Sequence, residues 1–259
     1  MFDIGVNLDH ASYLEDLSKF ENEYLEEGVE GIICIASNLE EAHKLTELCS
    51  TYQSMHFTLG CHPHYASTWT DSHQAELISL FIHHKKAIAV GEMGLDFNRN
   101  YSSPSEQITA FEAQLELANI VKRPAYLHER DAFDELTLRL GNTPLDHGGV
   151  IHCFTGDTQQ LKAYLDLGLM VGITGWLLDE RRNQSLVEAL QYLPLDRLLI
   201  ETDAPYLLPR TIRPRPKRNH PKYLNYIAEA VAHYKQTDLE TVKEITAANT
   251  RQLFLTDGL

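Results

Sequence analysis

The chain has 259 residues, 43% of them hydrophobic, and a formal net charge of -15. That length suits one large domain, residues 1–259, with a sizeable core, and α/β barrels commonly reach it undivided. The acidic balance argues against a general nucleic-acid binder, because phosphate affinity comes from Lys and Arg, and no run approaches the roughly 18 apolar residues of a membrane helix.

Residues 2–8 form a short apolar run ending in Asn7 and Leu8, and residues 14–27 carry Leu14, Leu17, Phe20, Tyr24 and Leu25 at helical spacing, closed by Gly28. A β-branched run at 31–36 precedes a helix at 39–52. Residues 55–59 lead into Gly60-Cys61-His62-Pro63-His64, and a third helix follows at 71–84. The run 87–90 leads into Gly91-Glu92-Met93-Gly94-Leu95-Asp96. Ser103-Pro104-Ser105-Glu106 is a capping box with proline at the first helical position, and it predicts a helix to about Val121. Runs at 124–127, 149–151, 169–173 and 198–200 then alternate with helices at 132–140, 157–167 and 184–193, and helices at about 220–235 and 239–254 finish the chain. Eight apolar runs, each followed by a helical segment, predict a closed TIM (β/α)8 barrel. No GxGxxG follows the first strand, which lowers a dinucleotide fold.

The opening MFDIGVNLDH has neither a basic n-region nor a small-residue cleavage site, so it is not read as a signal peptide. Cys34, Cys49, Cys61 and Cys153 form no CxxC pair and read as reduced thiols. Both features lead us to expect a cytoplasmic protein, without a membrane partner and monomeric by default.

The reactive side chains gather at the expected strand ends. Asn7 follows strand one, His62 and His64 strand three, Glu92 strand four, His128 strand five, His152 strand six and Asp203 strand eight. A single histidine after a strand is ordinarily a hydrogen-bonded loop residue, and an acid before proline ordinarily a turn former. Six ionisable groups at equivalent points of a repeat instead suggest one site, since the strand C-termini of a barrel converge on one mouth. Imidazoles mixed with carboxylates suit Zn, Mn, Fe or Mg rather than a thiolate centre. Glu92 is the type of ligand that can bridge two ions, and Asp203 is placed to act as a general base. Strand alternation turns Cys153 to the opposite face from His152, which leaves it out of the ligand set. Glu201, two residues before Asp203, has only a supporting role.

No acid lies between Asp203 and Glu229, whereas Arg210, Arg213, Arg215, Lys217, Arg218 and Lys222 all do. This basic loop follows Asp203 directly and could hold a phosphate backbone. Arg99, Arg130, Arg181 and Arg182 also fall just beyond strand ends, and their forked guanidinium groups suit phosphate oxygens, the alternative for each being a surface ion pair. Tyr101, Trp176 and Tyr206 are candidates for stacking bases or for packing the rim.

GCHPH, GEMGLDFNRN, PAYLHERD, GVIHCFTG, GITGW and IETDAPYL occur in this order. Together they resemble the TatD-type metal-dependent nucleases of the amidohydrolase-like superfamily, over nearly the whole chain, and MFDIGVNL most resembles the branch containing TatD itself. The resemblance implies a TIM barrel with a divalent-metal centre whose ligands would be Glu92, His128, His152 and Asp203. It implies that His62 and His64 lie near the substrate phosphate; Arg130, just beyond a strand end, and Arg210, in the basic loop, are the further candidate substrate contacts. The implied activity is metal-dependent hydrolysis of DNA from the 3′ end with some action on RNA; base stacking on Tyr101, Trp176 and Tyr206 would add a preference for single strands, and a role in DNA repair or degradation is expected. Many such proteins begin with Asp-x-His-x-His; here Gly5 and Asn7 stand where the two histidines would be. Loss of two imidazoles favours Mg, or Mn, over a firmly seated Zn, with one or two ions, and the Asn7 carbonyl oxygen would suit a hard cation.

Two other readings compete. A hydrolase of a small-molecule C–N or ester bond on the same barrel would have little use for the basic loop. A non-catalytic binding module would have little use for Glu92, His128, His152 and Asp203.

Overall fold

A computed structural model of the chain describes residues 1–8 and 11–255. Residues 9, 10 and 256–259, part of the expected 1–259 span, lie outside the described residues. Eight strands are ordered β1 to β8 in sequence, each parallel to the next. They are β1 (Phe2–Val6), β2 (Gly31–Cys34), β3 (Met55–Leu59), β4 (Ala87–Asp96), β5 (Ala125–Arg130), β6 (Gly149–Ile151), β7 (Met170–Ile173) and β8 (Leu198–Ile200). The seam between first and last strands is joined by a parallel bridge, Val6 with Ala204, and by the Asn7 N–H donating to the Ala204 carbonyl at 2.8 Å. The result is a nearly closed TIM barrel, as the alternating pattern predicts.

The helices are α1 (Ala11–Leu14), α2 (Leu17–Glu26), α3 (Leu39–Ser50), α4 (Asp71–His83), α5 (Pro104–Val121), α6 (Phe133–Asn142), α7 (Thr158–Asp166), α8 (Gln184–Tyr192), α9 (Leu224–Lys235) and α10 (Leu239–Phe254). The helix expected at 14–27 is divided, because the Asp16 side chain accepts the Lys19 N–H and starts a new helix. The capping box at Ser103 and Glu106 forms as expected, and α7 has a second, from Asp157 and Gln160. Among the described residues no helix is long and apolar enough to cross a membrane.

Two apolar layers follow from strand alternation. Ile32 and Cys34 of β2, Ile151 of β6, and Leu198 and Ile200 of β8 face outward and pack with the helices. Ile33, Tyr126, Val150, Met170 and Leu199 form a separate inner cluster, joined by Phe254 at the end of α10. The period of two then continues each inner row towards the mouth: Tyr126 to His128, Val150 to His152, Leu199 to Glu201. The same alternation that builds the core therefore aims polar groups into the cavity above it.

Strands four and five run further than expected. β4 continues through Glu92 to Asp96, and β5 through His128 to Arg130. Gly91 and Gly94 have positive φ, and a Cβ on either would land on the β5 backbone, on the carbonyls of Tyr126 and His128. These two glycines let β4 shift register between Val90 and Met93 while staying paired. Glu92 and Asp96 are thus held on a strand rather than on a loop.

Candidate active site

At the C-terminal mouth the side chains enclose an open cavity of about 760 Å³. Asn7, His62, His64, Glu92, His128, Arg130, His152 and Asp203 all line it. Glu92 is the hub. Its Oε1 lies 2.8 Å from His152 Nε2, 2.9 Å from His128 Nδ1 and 3.5 Å from His62 Nε2. Burial alone would raise the Glu92 carboxyl, but the imidazoles of His62, His152 and His128 outweigh it and hold the group well below the usual range. His152 and His128 are both raised against the effect of burial, His152 by Glu92 and Glu201, and His128 by Asp96 and Glu92.

Asp203 sits across the cavity, with positive φ, its Oδ1 accepting from Asn7 Nδ2 at 3.0 Å. Burial, with the neighbouring Glu201 and Glu92, pushes its carboxyl up to about 7 despite His152 and Asn7. A carboxyl held that high among other carboxylates marks a place short of positive charge.

The donor set accordingly fits a cation. One ligand atom from each of His62, Glu92 and His128 lies within 4.8 Å of the others, and imidazole with carboxylate suits Zn, Mn, Fe or Mg. The two histidines of that set are not equivalent. His62 Nδ1 accepts the His64 backbone N–H at 3.0 Å, so the proton of the neutral ring sits on Nε2. Burial pushes His62 down to about 3, which keeps the ring neutral. His62 thus presents an N–H donor to the cavity. His64 is turned aside, its Nε2 2.8 Å from Asp96 Oδ2.

The arginines divide in the same way. Arg99, Arg130 and Arg182 line the main cavity. Arg210 lines an adjoining recess of about 220 Å³, sharing Trp176, Arg182 and Leu207 with it. Arg182 lies over the Trp176 ring at 3.6 Å and pairs with Asp179, as does Arg181. The far end of the basic loop leaves the mouth: Lys222 pairs with Glu23 of α2 at 2.7 Å, and Arg218 lies over the Tyr13 ring. Tyr101 and Tyr206 stand exposed on the rim.

Three features escape a reading of strand ends. Asp96 backs His128, its Oδ2 lying 3.7 Å from Nε2; an extended β4 places it on the Glu92 face, at i+4. Cys153 lines the cavity rather than facing away, because its φ of 48° breaks the alternation after β6. Glu201 is fully buried beneath His152.

The profile of the TatD related DNase family matches residues 2–255. The chain belongs to that family. It is 42% identical over 258 residues to the 3′-5′ ssDNA/RNA exonuclease TatD of Salmonella typhimurium, covering 98% of each chain. It is 44% identical over 258 residues to the protein of the same name from Klebsiella pneumoniae, covering 98% of this chain and 97% of that one. The crystal structure of YJJV, a TatD homologue from Escherichia coli K12, superposes with a TM-score of 0.91 at 27% identity, covering 99% of this chain and 98% of the other. Membership of the TatD family makes the chain a hydrolase of the metal-dependent nuclease type.

Proposed function

We propose that this protein is a metal-dependent 3′-5′ exonuclease that hydrolyses phosphodiester bonds of single-stranded DNA and also of RNA. The observation that carries this reading is the convergence of Glu92, His128, His152 and Asp203 on one open cavity with arginines around it. The names of the TatD relatives, at 42–44% identity, point to the same substrates and polarity.

In this reading Glu92, His128, His152 and Asp203 hold the divalent metal. Mg is the favoured ion, with Mn or Zn as alternatives and one or two ions per site. When bound, the metal supplies charge stabilisation for the phosphate oxygens and acidifies the attacking water. Asp203, oriented by Asn7, takes the proton of that water. His62 donates its Nε2–H to a phosphate oxygen, and the His64 backbone N–H, bonded to His62 Nδ1, fixes that tautomer. Arg130 at the mouth, with Arg210 in the adjoining recess, grips phosphates by their guanidinium forks. Tyr101 and Tyr206 stack the terminal bases, which favours a frayed or single-stranded end.

We further propose a single catalytic domain acting as a monomer in the cytoplasm, in repair or degradation of DNA. The four free cysteines, Cys34, Cys49, Cys61 and Cys153, agree with a reducing compartment.

The deciding assay incubates the pure protein with end-labelled single-stranded DNA, with Mg or Mn and with chelator, beside Asp203→Ala and Glu92→Ala. Metal-dependent shortening from the 3′ end, lost in both variants, is the expected result. Undiminished activity in Asp203→Ala would sink the assignment of the base.

A further inference from the structure

We propose that Glu201 is the positioning residue for His152, and that Gly5 and Gly172 are small in order to admit its carboxylate. This rests on the nuclease reading and adds to it a residue that does not face the substrate. Glu201 is fully buried just after the C-terminal end of β8, beneath the mouth. A carboxylate placed there is costly unless donors surround it, and they do. Oε2 accepts from the Tyr126 hydroxyl at 2.8 Å, and Oε1 accepts from the Cys153 N–H at 2.5 Å. The remaining approach is from His152, whose Nδ1 lies 3.4 Å from Oε2. That nitrogen is buried and makes no hydrogen bond of ordinary geometry among the described residues, so the Glu201 carboxylate, at ion-pair distance, is the acceptor placed to take its proton.

The imidazole therefore stands between two carboxylates. Its Nε2 faces Glu92 Oε1 at 2.8 Å and its Nδ1 faces Glu201. With a proton kept on Nδ1 by Glu201, it is Nε2, which faces Glu92 in the metal-free protein, that would give up its proton and offer its lone pair to a cation in the cavity. Carboxylates behind a ligating histidine fix both ring orientation and tautomer in this way, and their loss typically weakens metal binding 10–100-fold.

The space is reserved from two sides. A Cβ at position 5 would land on Glu201 Oε2 and stand 2.8 Å from the Tyr126 hydroxyl. A Cβ at position 172 would stand 2.6 Å from Glu201 Oε1. Neither glycine needs a positive φ, so room for the carboxylate, not backbone conformation, accounts for both. The carboxylate and a side chain on strand one compete for one volume.

Two measurements test this. Protein labelled with ¹⁵N at histidine, without metal, should show an Nδ1 proton on His152 in the wild type. That signal should move or vanish in Glu201→Gln. Titration with Mn²⁺ alone should then give a Kd 10–100-fold weaker in Glu201→Gln. Tyr126→Phe removes one of the carboxylate's donors and should weaken Mn²⁺ in the same direction by less than about 10-fold, so the test survives if Glu201→Gln does not fold. An absent Nδ1 proton in the wild type would overturn the proposal, as would a folded Glu201→Gln that binds Mn²⁺ within about twofold of wild type. A wild type that binds no Mn²⁺ and leaves DNA intact would instead overturn the nuclease reading, because the Nδ1 proton reports on Glu201 without metal or substrate.

Discussion

The two walls of the mouth are built from different chemistry. The wall from β3 to β6 is dense: His62, Glu92, Asp96, His128 and His152 lie within hydrogen-bond or ion-pair reach of one another. The wall from β8 to β1 is sparse in imidazole. Asn7 and Gly5 are its strand-one members, and Asp203 and Glu201 supply its charge. On the dense wall the carboxylates are held low by surrounding imidazoles, whereas on the sparse wall Asp203 is pushed up to about 7. In the proposed function identical groups would thus differ in emphasis: the dense wall would mainly hold the cation, and Asp203 on the sparse wall would touch the cation and also accept a proton. A set of ligands alone does not give that division; the neighbours of each carboxylate do.

The sharpest way to break this comparison is Glu92→Ala, which removes the hub of the dense wall. Exonuclease activity should fall about 10⁴-fold or more and Mn²⁺ affinity with it, measured by end-labelled DNA shortening and by metal titration. Asp203→Asn on the sparse wall should lower kcat by about 10²–10⁴-fold, while its Mn²⁺ affinity declines less than that of Glu92→Ala. Equal losses of affinity in the two variants would erase the division of labour.

Gly5→His tests whether the sparse wall could take an imidazole. Its Cβ would meet Glu201 Oε2, so we expect destabilisation by about 1–3 kcal/mol, read as a fall in Tm. Tyr206→Ala, on the rim, should raise KM for single-stranded DNA about fivefold with kcat nearly unchanged, as loss of one base stack would do. A last effect, on stability alone, lies away from both walls and calibrates what belongs to the fold. Burial, with Lys86, pushes His56 down to about 4. Because the unfolded ring titrates near 6.5, the unfolded state takes up more protons between those values, and stability is lost as the pH falls from 6.5 towards 4. His56→Leu should therefore gain on wild type by about 1–2 kcal/mol between pH 7 and 4.5 in urea unfolding.

Much of this architecture is legible from residue order. Alternating runs and helix caps announce the barrel, and His128, His152 and Asp203 stand out as polar residues closing apolar runs. What stays hidden depends on contacts remote in sequence. The strand through Glu92 looks finished at Val90, since Gly91 and Gly94 resemble a turn until β5 is alongside. That conceals Asp96. Cys153 defies alternation through a single left-handed residue. The basic loop reads as one patch, yet Lys222 is claimed by Glu23, 199 positions away. Glu201 looks like a companion of Asp203, and its burial emerges only when Gly5, Gly172 and Tyr126 are brought around it.

The seam of the barrel carries a consequence for the life of the chain. Asp203 is oriented by Asn7, and β8 meets β1 through Val6 and Ala204. The site is therefore finished by joining the first strand to the last. A chain emerging from the ribosome presents Asn7 first and its histidines next, but Asp203, the base of the proposed mechanism, would join them only after the eighth strand has left the tunnel and docked. In the proposed mechanism the site would therefore be completed by one of the last segments of the chain to be made.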